Sequence, residues 1–362
     1  MNLPTGLRGS WLYGISVLAG VAVVSQVLNV WVLSHRADPA RQALGQRADE
    51  ATVQQVRHQM GLHLSPALQV LRALNDLSPV SLHLAKENSA FAFDPGKYQG
   101  VPLALGGVVL ALKWPYAGYS YSFAEPVHRV LGRALPATCL LAFSALMIGL
   151  AGGVFLGFIS ALKRGSPMDF SLVAMATLGV AVPSFLAALL ASYFLAFQWH
   201  EITHLPLQGN FMTPDLSGRG KVWTAQNLIL PALVLGLRPL SSVLTLVRTA
   251  VLEMRGAEFI KTARAKGLAS GTIYWRHLLP NVLMPVVSLA GNWLASLMGG
   301  AVFVEYVFGW NGVGKLLVDA LEARDFPLIN GIILYMSVAL VVIHYATEWL
   351  YHRLNPELRN SS

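Results

Sequence analysis

Long runs without a charged residue constrain this chain more than any other feature. Five runs that lack Asp, Glu, Lys and Arg each exceed the roughly 20 residues of helix that cross a bilayer core. They are 9–35, 134–162, 170–200, 278–304 and 326–347. A sixth apolar run, 228–252, is interrupted by Arg238 and Arg248. With 54% hydrophobic and 12% charged residues and a mean hydropathy of +0.53, the sequence predicts an all-α membrane protein with six transmembrane helices.

The distribution of Lys and Arg beside these spans predicts the orientation of the chain. Short loops rich in basic residues face the cytoplasm, and the basic residues concentrate after the second and fourth spans and at the two ends. We therefore expect a multi-pass membrane protein with both termini cytoplasmic. The net charge of +8 then reflects contact with anionic lipid, and no nucleic-acid partner is expected.

The spans divide the chain into four predicted parts. Residues 1–35 form an N-terminal transmembrane helix that is retained, and 36–133 form a small extracytoplasmic insert that ends in an amphipathic helix. Residues 134–352 form a five-helix core, and 353–362 form a cytoplasmic tail. Within the insert, helical spacing predicts helices near 52–61 and 66–75, whereas the apolar run 101–112 is too short to span.

Two motif fragments suggest chemistry that the surrounding sequence argues against. His200 to His204 (HEITH) fits the zinc-protease pattern, but Pro206 predicts that the helix ends there and no third ligand follows. Residues 309–316 (GWNGVGKL) resemble part of a phosphate-binding loop, yet Leu316 stands where Ser or Thr would hold magnesium. We expect no catalytic residue, no metal and no cofactor in this chain.

The connection between the fourth and fifth spans, residues 253–277 (EMRGAEFIKTARAKGLASGTIYWRH), is too long for a turn. Apolar and small residues recur at helical spacing on one predicted face, and a short helix should stop at Gly267. The members of this face and the cations beside it are Phe259, Ile260, Ala263, Gly267, Arg264 and Lys266. A groove on a partner protein or a lipid surface would fit such a helix equally well.

This segment resembles the EAA loop of ABC-importer permeases. Against the pattern E-A-A-x-x-x-G the chain has Lys261, Thr262, Ala263 and Gly267, and KTARAKGL followed by RHLLPNVLMP (276–285) is typical of the dipeptide, oligopeptide and nickel branch. Further fragments in the same order are similar to that branch and cover nearly the whole chain. They are ADPARQALGQRAD (37–49), LNDLSP (74–79), ALPATCLLA (134–142), VEYVFGWNGVGKLL (304–317) and RDFPLING (324–331).

The resemblance implies the type I ABC-importer permease architecture, a location in a bacterial-type inner membrane and a transport subunit that catalyses no bond chemistry. The implied partners are a second homologous permease, two ATPase subunits that bind ATP and Mg, and an extracytoplasmic substrate-binding protein. The 253–277 loop would couple ATPase closure to alternating access, and Arg238 is a candidate pathway residue. The alternatives are an ion-coupled secondary transporter, a membrane zinc protease at His200 and His204, and a structural assembly protein.

Overall fold

The computed structural model describes residues 5–36, 39–44, 49–84, 89, 91–214 and 221–354. Within these ranges, five helices are long and apolar enough to cross a membrane, or six if a bent pair counts as one span. The predicted spans are therefore confirmed, with a break in the third. Most of the predicted tail, 355–362, lies outside the described residues.

The five unbroken spans are helical along their whole length. Their bounds are α1 (Thr5–Arg36), α5 (Val127–Leu162), α9 (Gln226–Met254), Ser270–Gly300 and α15 (Phe326–Leu354). The fourth of these joins α11 (Ser270–Thr272), a π-helical stretch (Ile273–Leu278) and α12 (Leu279–Gly300). The predicted amphipathic helix and the second span form the single helix α5, which begins just after Pro126.

The third span is broken beside Pro183. It consists of α6 (Pro167–Ala181), α7 (Ser184–Ala191) and a π-helical stretch (Ser192–Gln198), with an angle of 111° at the break. Pro183 has no backbone N–H and disfavours a helical residue before it, so Val182 adopts an extended conformation. The interval 170–200 is therefore not one straight transmembrane helix.

The contacts divide the chain into two compact units, 5–133 with 317–341 and 134–316 with 342–354. The first unit contains α1 and the insert, whose helices are α2 (Pro39–Leu44), α3 (Glu50–Met60) and α4 (Pro66–Leu77). Helix α4 packs against α1. Helix α3 begins at an N-cap in which the Asp49 side chain accepts a hydrogen bond from the Ala51 amide. Both helices predicted in the insert are therefore confirmed.

A small sheet completes the insert, and the sequence analysis did not predict it. Strands β1 (Val80–Leu84), β2 (Gly100–Leu105) and β3 (Val108–Lys113) pair antiparallel in the order β1-β3-β2. The apolar run 101–112 is the hairpin β2–β3, which turns at Gly106 with φ of 66°. A two-strand ladder, β4 (Tyr119–Ser120) with β5 (Glu125–Pro126), leads into α5.

Close contact between α5 and α9 forms the centre of the second unit. A Cβ on Gly149, Gly153 or Gly157 would lie within 3 Å of α9 atoms, so only glycine permits this approach. Small residues of this kind allow two helices to approach closely. Shorter elements of this unit are α8 (His200–Thr203), β6 (Met212–Pro214), β7 (Lys221–Trp223), α10 (Glu258–Ala265) and α13 (Val302–Val307). Helix α14 (Val313–Glu322) follows.

Candidate functional site

Helix α10 is a short amphipathic helix inside the 253–277 loop. It starts after Ala257, which is extended, and it ends in a left-handed glycine cap at Gly267 with φ of 76°. The Gly267 amide donates to the Arg264 carbonyl at 2.9 Å, and the Leu268 amide donates to the Ala263 carbonyl at 3.3 Å. These two bonds form a Schellman motif, so the predicted stop at Gly267 is confirmed.

One face of α10 is buried against the ends of three spans. Ile260 is 1% exposed and Ala263 is 6% exposed, and both belong to one apolar cluster. Its other members come from α5, α9 and the helix that begins at Ser270, and they are Ala161, Val243, Val247, Val251, Ile273, Leu278, Val282 and Val286. Helix α10 is therefore part of the core of the second unit and not a loosely attached loop.

The opposite face of α10 is exposed and carries most of the charge. Phe259 is 44% exposed, and Arg264, Lys266 and Gly267 are exposed as well. Lys261 forms an ion pair with Glu258 at 2.7 Å on the same surface. Ile260 and Ala263 thus contact this chain's own core, whereas the other predicted residues of this helix are exposed.

An ion pair joins the start of α6 to the end of α9 in the same unit. The Arg248 guanidinium donates to both carboxylate oxygens of Asp169, from Nε at 2.8 Å and from Nη2 at 2.9 Å. Ser160 of α5 and the Gly165 amide also donate to that carboxylate. Asp169 is 4% exposed, so four donors stabilise a buried carboxylate at the junction of three helices.

This junction was not predicted from the sequence. There, Arg248 stands out only as an interruption of the apolar run 228–252, and no role is inferred for Asp169. A usable signal was present, because Asp169 follows Ser166 and Pro167 at a helix start while Arg248 interrupts an otherwise apolar span. Such a charge usually faces a partner rather than lipid.

The glycine-rich turn at 309–316 surrounds a carboxylate of the chain itself. Glu305 is fully buried, and it accepts hydrogen bonds from Thr138 Oγ1 at 2.7 Å, the Gly314 amide at 2.7 Å and the Lys315 amide at 3.1 Å. Thr138 in turn accepts from the Val313 amide at 2.7 Å. Burial raises the pKa of Glu305, while these donors oppose the shift.

The small residues of this turn are required by the close approach of Glu305. A Cβ at Gly312 would lie 2.3 Å from the Glu305 carboxylate, and one at Gly314 would lie 2.5 Å from the Val302 Cα. Trp310 is fully buried and donates from Nε1 to the Ala137 carbonyl at 2.9 Å. The amides that a phosphate-binding loop would offer to a nucleotide are therefore occupied by the protein's own carboxylate.

Comparison with known proteins gives a consistent assignment. Residues 153–360 match the family described as binding-protein-dependent transport system inner membrane component. That match covers more than half of the chain. The chain belongs to this family of ABC-importer permeases.

Curated relatives of the permease carry related names. The dipeptide transport system permease protein DppB of Haemophilus influenzae is 36% identical, over 67% of this chain and 77% of that protein. The probable D,D-dipeptide transport system permease protein DdpB of Escherichia coli is 31% identical, over 95% of this chain and 94% of that protein. The predicted resemblance is therefore confirmed.

Solved structures confirm the fold. The MetNI methionine ABC transporter, in its inward-facing conformations, matches with a TM-score of 0.50 and 16% identity, over 63% of this permease and 97% of that chain. The permease thus has the type I architecture. It is a transport subunit and not an enzyme, and its family implies ATPase and substrate-binding protein partners and an inner-membrane location.

The two histidines of the zinc-protease fragment are not arranged on a regular helix. Helix α8 ends at Thr203, and His204 has a left-handed backbone with φ of 52°. The centres of the His200 and His204 rings are 6.4 Å apart, and His200 Nδ1 lies 3.1 Å from the Leu205 carbonyl oxygen. This geometry and the family assignment favour a terminal turn of the permease over a hydrolytic site.

Arg238 is exposed on α9. Its guanidinium makes no ion pair or hydrogen bond within the ranges that the structure describes. An exposed arginine nearly halfway along a span must face protein or water rather than hydrocarbon.

Proposed function

We propose that this permease transmits ATPase closure to its spans through residues 253–277 and thereby imports short peptides. The observation that carries the proposal is the attachment of α10, through Ile260 and Ala263, to the ends of α5, α9 and the fifth span. A force applied to the exposed side of α10 reaches three spans through a continuous packed cluster. Packed interiors transmit displacement because they are dense and resist compression.

The exposed residues of α10 have chemistry suited to a groove on another protein. Phe259 supplies an apolar side chain of the kind that anchors interfaces, while Arg264 and Lys266 supply positive charge that orients the docking surface. Gly267 leaves open space around its Cα, so a partner backbone can approach closely there. Phe259, Arg264, Lys266 and Gly267 would therefore contact the ATPase, and Ile260 and Ala263 would hold the helix to the spans.

The complete importer would contain this permease, a second homologous permease, two ATPase subunits and an extracytoplasmic binding protein. In that assembly α10 and both termini face the cytoplasm, and the insert faces the opposite side. Arg238, exposed within a span, would face the second permease or the pathway between the two subunits. A binding-protein-dependent importer receives its cargo from the binding protein, and the spans alternate access when the ATPases close.

Short peptides are the proposed cargo because the curated relatives are named for dipeptide and D,D-dipeptide transport. A dipeptide is zwitterionic, so a pathway that carries it needs polar groups rather than a continuous apolar lining. Arg238 is one such group within a span, where it would attract the carboxylate end of a peptide.

The test compares two substitutions of exposed apolar side chains. Phe259→Ser removes the proposed anchor on α10, and Ile202→Ser alters an equally accessible side chain on α8, where Ile202 is 81% exposed. We expect Phe259→Ser to reduce ATPase co-purification and dipeptide uptake by at least about tenfold, as for a central interface anchor. Ile202→Ser should leave both unchanged.

Equal uptake and equal ATPase association in the two variants would contradict the proposal. Ala263→Asp is not a suitable test, because a charge at a 6% exposed position would disrupt the permease core whether or not a partner binds. The location of α10 is tested separately with Lys266→Cys and a thiol reagent that does not cross the membrane. Labelling from the outside of intact cells would contradict the proposed orientation.

A further inference from the structure

An apolar groove lies within the second unit, between α5, the fifth span and the last part of α15. Its volume is about 930 Å³, and its lining is almost entirely hydrocarbon. The fifth span meets α15 closely in its wall, since a Cβ on Gly291 would lie 1.9 Å from Thr347 Cγ2. Along α5 the groove runs from Leu146 to Leu162, about 24 Å at 1.5 Å per residue. A fatty-acid chain of one leaflet occupies half of the roughly 30 Å hydrocarbon core, so the groove is long enough to hold it.

Side chains from all three helices are accessible in this groove. Phe155 on α5 is 65% exposed, Trp275 on the fifth span is 75% exposed and Val342 on α15 is 59% exposed, and each lines the groove. These side chains therefore present apolar surface to a molecule that enters the groove.

The last turn of α5 and the first turn of the fifth span lie at the same end of the groove. Leu162 and Trp275 line that end, and their neighbours Ala161 and Ile273 belong to one buried cluster. An exposed tryptophan is typical of the level at which hydrocarbon meets lipid head groups. This end is therefore suited to the head group of a lipid whose chains follow the groove.

Positive charge is concentrated at this end. Lys163 and Arg164 directly follow Leu162, and Arg276 directly follows Trp275. All three cations are exposed, and none of them forms an ion pair within the part of the chain that the structure describes. The three helices that line the groove contain a single acidic residue, Glu348. The end of the groove is therefore complementary in charge to an anion.

We propose that this groove binds an anionic phospholipid, with its acyl chains along α5 and its phosphate beside Lys163, Arg164 and Arg276. Basic sites between transmembrane helices recognise anionic head groups in this way. An apolar helix of another subunit would complement the lining but not the three cations, so the charge favours the lipid. The orientation under the proposed function places the head group in the cytoplasmic leaflet, and the inference rests on that function in this respect alone.

The groove shares side chains with the cluster that holds α10. Val154, Phe158 and Tyr274 line the groove, and they also pack against the cluster that contains Ile260. A lipid chain in the groove would therefore complete the packing of the region that joins α10 to the spans.

The primary experiment compares two lipids that have the same chains and different head-group charge. The purified full-length permease in detergent micelles is titrated with dioleoyl-phosphatidylglycerol or with dioleoyl-phosphatidylcholine, and native mass spectrometry gives the dissociation constant of the first bound lipid. We expect phosphatidylglycerol to bind at least about tenfold more tightly, as for an anionic head group beside several cations.

Two variants, each with a matched control, locate the site. Arg276→Gln combined with Lys163→Gln should weaken phosphatidylglycerol binding by at least about tenfold, whereas Arg129→Gln, an exposed cation of α5 beyond the other end of the groove, should leave it unchanged. Ala151→Trp places a large side chain in the groove and should weaken binding of both lipids. Ala181→Trp alters an exposed alanine outside the groove and should change neither. Circular dichroism checks the helicity of each variant, and if one of the two fails to fold, the other provides the test.

Three outcomes would overturn the inference. The first is equal affinity for the two lipids, and the second is unchanged phosphatidylglycerol binding in a folded groove or charge variant. The third is loss of bound phosphatidylglycerol when this chain assembles with the second permease, because a protein surface would then occupy the groove. Dipeptide uptake by the complete importer in any of these cases would leave the proposed function intact.

Discussion

Removal of the Asp169 carboxylate charge should destabilise the permease strongly. Asp169→Asn keeps the side-chain shape but leaves the Arg248 guanidinium without its anionic partner. Breaking a buried ion pair by removing one partner costs about 3–5 kcal/mol. The Asp169 side chain is 6% exposed and the Arg248 side chain is 26% exposed, so we expect the lower end, about 3 kcal/mol.

The assay is reversible unfolding of the purified permease in mixed micelles, with helicity as the readout. A change of about 3 kcal/mol corresponds to roughly a 100-fold change in the unfolding equilibrium constant. The matched control is Glu258→Gln, which breaks the exposed Glu258–Lys261 pair and should change stability by less than about 0.5 kcal/mol. The double variant Asp169→Asn with Arg248→Gln should recover part of the loss, since no unpaired charge remains.

Equal effects of Asp169→Asn and Glu258→Gln would refute the reasoning. So would a double variant that is as unstable as the sum of its single changes, because the two side chains would then act independently. Either result would mean that the carboxylate and the guanidinium do not stabilise the junction of α5, α6 and α9 together.

Three further predictions concern other contacts of the fold. Gly153→Ala should destabilise the permease by about 1–3 kcal/mol through overpacking, because the new Cβ would lie 2.6 Å from the Val243 Cβ. The control Gly132→Ala lies in the same helix with open space around it. It should leave the free energy of unfolding unchanged, as chemical unfolding would show. Glu305→Gln should destabilise the permease by about 1–3 kcal/mol, and urea titration measures this. Gln has one acceptor oxygen in place of two, so it cannot accept both from Thr138 and from the Gly314 and Lys315 amides. Burial lowers the pKa of Lys113 to about 8, so above that pH the unfolded chain binds more protons than the folded chain. The free energy of unfolding should therefore rise by ~1 kcal/mol from pH 8 to 9.5, as measured by thermal melting. Lys113→Met should flatten that rise, and an unchanged slope in this variant would contradict the assignment.

The positions of the spans follow directly from the sequence, because charged residues cannot be accommodated cheaply in hydrocarbon and their absence is visible as a run. The bend near Pro183 and the end of α10 at Gly267 are equally local, since each depends on the backbone properties of one residue. The sheet of the insert was missed although Gly106 and Gly107 between two apolar runs are a hairpin signal. The interval 101–112 was evaluated by its length as a membrane span and not by its turn.

Contacts between distant parts of the chain could not be obtained from local pattern. Asp169 and Arg248 are 79 positions apart, and Thr138 and Glu305 are 167 apart, so helical periodicity carries no information about either pair. The apolar side of α10 was visible in its spacing, but spacing cannot show whether the covering surface belongs to the same chain. The structure assigns Ile260 and Ala263 to the permease core and leaves Phe259 exposed.

Site-specific cross-linking from α10 to the ATPase tests the central claim most directly. In a background with Cys139→Ala, a single cysteine replaces exposed Phe259 in one variant and buried Ile260 in the other, and the assembled importer is treated with a short bifunctional thiol reagent. The account predicts a permease–ATPase product from Phe259→Cys that changes in yield with ATP, and little product from Ile260→Cys. A transport-active importer that gives no product from Phe259→Cys, or equal product from both positions, would contradict it.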